Sequence, residues 1–144
     1  MILHSEDGKA KFELVPCGAE LVAYPSLCFS ASVATPDVSG GHGESWFELE
    51  AVEQFIRGIA ALEQSRSGSV VLESMSPAEF SFEVATLNSR GHLGVRFGFS
   101  GSRYAESTSF PYSLTAGFQI DPTSLPYIAD ALRAHIQQQR TNVA

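Results

Sequence analysis

Phe80-Ser81-Phe82-Glu83-Val84-Ala85-Thr86-Leu87-Asn88-Ser89-Arg90-Gly91-His92-Leu93-Gly94-Val95-Arg96-Phe97-Gly98-Phe99 places an apolar residue at every second position on both sides of a polar segment. Period two is the signature of a half-buried strand, and two such runs joined by a short turn predict an antiparallel hairpin. A four-residue loop, Asn88 to Gly91, pairs Leu87 with His92 and sets the whole register. Val84 then meets Val95, Phe82 meets Phe97 and Phe80 meets Phe99 on one face, with Glu83 opposite Arg96 on the other. A three-residue loop would shift the register by one and set aromatics against glycines. Gly91 supplies the positive φ that such a loop commonly needs.

The same alternation recurs on either side. Val70 to Glu73 precedes the hairpin, and Phe110, Tyr112, Leu114, Ala116, Phe118 and Ile120 follow it. Nearer the amino end, Lys11 to Val15 and Leu27 to Thr35 also alternate. Between them and Val70, Pro36 to Gly43 reads as a turn-rich connection, and Ser45 with Glu48 matches the capping box S-x-x-E. A helix is expected from there, with Leu49, Val52, Ile56 and Ile59 on one stripe, Phe55, Ala60 and Leu62 flanking it, and an end before Ser65 to Gly68. Asp121-Pro122 and Ser124 offer caps for a closing helix carrying Leu125, Ile128, Leu132 and Ile136. The fold class is α+β, in the order ββαββββα: one antiparallel sheet of about six strands with two helices packed on one face. The other face would be small and polar, with Ser30, Ser32, Ser81, Glu83, Gly94, Arg96, Gly98, Ser113, Thr115 and Gln119. Ser100 to Ser109, with Arg103, Tyr104 and Glu106, is expected to be a long connection, either a mobile tip or a binding loop.

The chain has 144 residues, 44% hydrophobic and 17% charged, as expected of one globular domain over 1–144 with an ordered core at about 8–139. A chain of this size buries roughly two-thirds of its surface and needs no staple. No apolar run approaches the roughly 20 residues of a membrane span. His4, Glu6, Asp7 and Lys9 interrupt the amino end where a secretory signal would be apolar, so the chain reads as cytoplasmic. Sixteen acidic against nine scattered basic residues give a net charge of -7, which argues against a nucleic-acid partner and favours a basic one. Cys17 and Cys28 form no CxxC and have no second pair, so two inert thiols are expected.

No motif points to a cofactor. Gly40-Gly41-His42-Gly43-Glu44 lacks the lysine of a phosphate loop, no metal-binding spacing such as HExxH occurs, and no serine lies in a nucleophile elbow. Glu44, Glu48, Glu50 and Glu53 gather carboxylates around the expected helix start, either as partners of the helix dipole or as an acidic docking patch. Trp46 lies among them, as a half-buried core residue or a contact anchor. With Arg103 and Tyr104 these are the candidate partner-binding residues.

Leu49 with Phe55 leading to Leu62, Gly68 before the strand Val70 to Ser74, the hairpin Asn88 to Leu93, and Asp121 with Leu125 before a closing helix resemble bacterial immunity proteins of the WapI type, and a related uncharacterised bacterial family. The resemblance covers about residues 45–138. It implies a non-catalytic antidote that binds and blocks a toxin delivered by neighbouring cells, here a basic toxin domain such as a nuclease. Two other readings stay open. One is a small-ligand-binding protein or enzyme, which requires His42, Glu44 and His92 to converge on one site. The other is a homo-oligomeric module pairing through the small-residue sheet face.

Overall fold

The computed structural model describes residues 1–143. The chain forms β1 (Ile2–His4), β2 (Lys11–Glu20), β3 (Ser26–Ala34), β4 (Ser39–Glu48), α1 (Leu49–Ser65), β5 (Ser69–Glu73), β6 (Phe80–Thr86), β7 (Leu93–Ala105), β8 (Thr108–Ile120) and α2 (Ser124–Val143). Every strand pairing is antiparallel. The α+β class and the two helices are as the sequence predicts, but the strands build two four-stranded sheets, β1-β2-β3-β4 (sheet A) and β5-β6-β7-β8 (sheet B), instead of one six-stranded sheet.

The physical reason lies in Phe12. A single sheet would turn the apolar faces of β2 and β6–β7 the same way, whereas here they face each other. Phe12 of β2 stacks on Phe97 of β7 with ring centroids 3.8 Å apart, and meets Phe82 edge-on at 5.3 Å. Phe47 of β4 reaches Phe80 in a T-shaped contact at 5.6 Å. Helix α1 sends Phe55 against Phe82 and packs on α2, whose His135 ring lies 5.5 Å from Phe29. One continuous core therefore runs from Leu3 to Ile136. It is a sheet-on-sheet core completed by helices.

The hairpin of β6 and β7 has the register that the four-residue loop dictates: Val84↔Val95, Phe82↔Phe97, Phe80↔Phe99 and Glu83↔Arg96. Leu87 N–H donates to the His92 carbonyl at 2.7 Å, and Gly91 has φ +78°.

Two segments read as loops are strands. Pro36 to Gly43 contains only a short turn before β4, which begins at Ser39. The long connection at Ser100 to Ser109 is a continuation of the β7–β8 ladder to Ala105↔Thr108, closed by Glu106 and Ser107 at positive φ. Positive φ at both central residues is the geometry of a type I′ hairpin turn. The helix also starts later than the S-x-x-E pattern suggests. Ser45 and Phe47 are buried while Glu44, Trp46 and Glu48 are exposed, so pairing with β3 carries the strand through the supposed cap. Glu48 occupies the N-cap position without a side-chain cap, and the Pro25 carbonyl accepts the Leu49 N–H.

Candidate partner-binding surface

Alternation along β4 sends Glu44, Trp46 and Glu48 to the face of sheet A that points away from the core. A bulge makes this possible. Phe29 pairs with Ser45 and Ala31 with His42, so Gly43 and Glu44 together oppose Ser30. Without that extra residue, Phe47 and His42 would not both lie on the core side. Cross-strand partners extend the outward face in rows: Trp46 lies beside Cys28, which pairs with Gly18, and Glu48 lies beside Ser26, which pairs with Glu20. The middle of the face is small, with Ser32, Ala34, Gly41 and Gly43 all exposed.

Trp46 is 38% exposed, lying over the neighbouring strands while leaving much of its ring in solvent. A Cβ at Gly18 would come within 3.4 Å of the Trp46 ring, so glycine there lets the indole lie close to β2. Beneath it, Cys17 and Cys28 form a disulfide between β2 and β3, contrary to the expectation of two inert thiols. The ladder explains the pairing: a second bulge, between Pro16 and Gly18, shifts β2 so that Cys17 comes beside Cys28, with 5.2 Å between Cα atoms. Spacing of eleven in sequence gives no hint of that.

The acidic residues fall into two groups. Glu44 and Glu48 belong to the strand face, where the Tyr24 hydroxyl donates to Glu48 at 3.1 Å and the nearby carboxylate raises the phenol's pKa. Glu20 joins them, its carboxylate accepting the Val22 and Ala23 amides, which hold its pKa below the ordinary carboxylate value. Glu50 and Glu53 lie on α1 instead. Of the four, only Glu50 is in the first helical turn, and Glu53 accepts a hydrogen bond from Arg140 of α2. Glu53 is therefore a pin between helices as well as a surface charge.

Arg103 and Tyr104 sit on the far end of the β7–β8 ribbon. As neighbours in a strand they point to opposite faces, Arg103 beside Phe110 and Tyr104 beside Ser109. Both are exposed, Tyr104 to 75%.

His42, Glu44 and His92 do not converge. His42 Nε2 lies 2.7 Å from Glu79 and its Nδ1 3.1 Å from the Tyr112 hydroxyl, close to where Ser100 meets the Glu79 carbonyl. His92 contacts Asn88 at the opposite end of β7, eight residues before Ser100 and so about 26 Å away at roughly 3.3 Å per strand residue. The His42–Glu79–Tyr112 group ties β4 to sheet B, and no spacing in the sequence announces it. Among the described residues no group of three His, Cys, Asp or Glu side chains is placed to hold a metal ion, and no helix is long and apolar enough to cross a membrane.

Residues 2–139 match the model of the Immunity protein WapI-like family. The chain belongs to the WapI-like immunity protein family. The match adds the amino-terminal strands to the span over which the resemblance is legible in the sequence. No curated protein and no solved structure matches the chain.

Proposed function

We propose that this WapI-like protein is an antidote that neutralises a toxin by binding it inside the producing cell, without catalysis of its own, and that the outward face of sheet A around Trp46 is the contact. The observation that carries the assignment of the surface is a half-exposed tryptophan between Glu44 and Glu48 on a face with small residues at its centre. An aromatic anchor ringed by polar groups is the usual composition of a binding hot spot. Carboxylates there, on a chain of net charge -7, complement a basic partner such as a nuclease toxin domain. Family membership supports the antidote role, and the Glu48–Tyr24 bond pre-orders the surface.

The test is surface binding kinetics against the toxin domain encoded beside this chain, at two ionic strengths, with a thermal melt of each variant. Neutralising Glu44, Glu48, Glu50 and Glu53 lowers the association rate and its salt dependence while dissociation changes less. Trp46→Ala costs about 2 kcal/mol or more of affinity with the fold intact. Unchanged association in the four-glutamate variant removes the docking-patch assignment, and a Trp46 variant that merely unfolds returns that residue to a structural role. A wild-type protein that binds no neighbouring toxin ends the antidote reading.

A further inference from the structure

A groove of about 650 Å³ lies where the turn ends of sheet A meet β8. Its walls are the β1–β2 turn, Ser5 to Ala10, and the β3–β4 turn, Thr35 to Val38, and its floor is Ala116 to Gln119. Both turns are braced from within. The Ser5 hydroxyl donates to Asp7 and accepts the Ala10 amide, while the Thr35 hydroxyl accepts the amides of Asp37 and Val38. A groove with braced walls is ready for a ligand without reordering.

The floor is an open sheet edge. β8 ends the order of sheet B, and the Gln119 carbonyl accepts the Glu6 N–H at 2.9 Å, so the polar backbone of Gln119 points away from β7. By the two-residue alternation of an antiparallel strand, Gly117, Thr115 and Ser113 present theirs on the same side. All three are exposed, and among the described residues no other backbone group from outside sheet B bonds to this edge. Such an edge is a template for one more strand.

Charge selects the occupant. Glu6, Asp7 and Asp37 line the groove against one base, Lys9. Asp7 is engaged by Ser5 and the Lys9 amide, but the carboxylates of Glu6 and Asp37 make no hydrogen bond or ion pair among the described residues. Val38 and Phe118 add apolar surface for the stem of a long basic side chain.

We propose that this groove takes an extended basic segment of a protein partner, which adds as a strand along the β8 edge at Ser113–Gly117 and places an arginine or lysine between Glu6 and Asp37. The proposal rests on the reading of a basic protein partner, and gives that partner a second contact separate from Trp46.

The probe is a short peptide alternating arginine and valine, compared with one in which glutamate replaces arginine and one N-methylated along the backbone. Amide exchange of the whole protein is read residue by residue. The arginine peptide slows exchange at Thr115 and Gly117, and neither control does. Glu6→Gln with Asp37→Asn, both at side chains unbonded within the protein, weakens the peptide by about three- to tenfold, as two exposed charge pairs would. Gly117 itself stays unaltered, because a Cβ there would sit 2.4 Å from the Val95 carbonyl oxygen. Protection that appears on β4 instead of β8, equal binding of the glutamate peptide, or indifference to the double variant overturns the proposal. The toxin domain separates the two readings. Toxin binding that leaves β8 exchange unchanged removes the groove and keeps the antidote role, while a peptide that protects β8 beside a toxin that does not bind keeps the groove and removes the antidote role.

Discussion

Strands β7 and β8 form one ladder from Leu93↔Ile120 to Ala105↔Thr108, and its two ends differ in everything except pairing. At the root, Phe97 and Phe99 are buried beneath Phe12, Phe80 and Phe82. At the tip the same face continues as Tyr112 and Phe110, which are 40% and 55% exposed. The alternation is unchanged, but β6 stops pairing at Phe99, and sheet A meets this end through the His42 bond to Tyr112 instead of a packed aromatic layer. Alternation thus chooses a face, and the opposite layer chooses whether that face is buried. Sheet A shows another solution to the same problem. β1 and the preceding Met1 bond to β2 only as far as Leu14, so the second half of β2 is an edge, and there the Cys17–Cys28 disulfide ties it to β3.

The largest expected effect tests root against tip. Phe97→Ala lowers unfolding stability by about 3–5 kcal/mol, through lost burial and a cavity among its aromatic neighbours Phe12, Phe82 and Phe118. Phe110→Ala costs less than about 1 kcal/mol. Equal losses in denaturant melts would mean that the ribbon tip is covered. Next comes the cross-link. Reducing the disulfide, with a sequence separation of 11, lowers stability by about 2–3 kcal/mol on the loop-entropy model. Amide exchange should then quicken in β2 beyond Val15 while the β7–β8 tip stays as it was, and the reverse pattern would break the parallel between the two edges.

Smaller still is the outward face of the root. Arg96→Ala costs at most about 1 kcal/mol in the same melts, because its bond to Glu83, at 3.3 Å, is exposed. A loss as large as that of Phe97 would mean that the sheet faces are reversed. The smallest effect lies in the pH slope. His135 is held below the ordinary imidazole pKa of 6.5, chiefly by burial and secondly by the amino-terminal charge, and its Nε2 has no hydrogen-bond partner. The fold therefore favours neutral His135, so its contribution is complete above the unfolded value and is lost as pH falls through the folded one. Melts at pH 7.5 and 5 should show a shallower acid loss for His135→Phe than for wild type, and parallel losses would exclude His135 as the source.

Of the candidate surface, the sequence showed the outward carboxylates and the tryptophan but not their grouping. Glu44, Trp46 and Glu48 are two residues apart, a spacing that a helix scatters and a strand aligns, so reading Ser45 as a cap hid the shared face. The groove is formed by turns at Ser5 to Ala10 and Thr35 to Val38 meeting Ala116 to Gln119, and nothing local connects segments so far apart.

The sequence by itself determined the hairpin of β6 and β7, the apolar faces of both helices and the α+β class, because each follows from periodicity and turn chemistry over a few neighbouring residues. Only the tertiary structure decided that the strands divide into two facing sheets, that β4 runs through a capping motif, that Cys17 meets Cys28, and which edge of sheet B stays open. Those outcomes depend on where Phe12 finds Phe97 and where two bulges shift the register, and such contacts are set by how whole layers fill a common core.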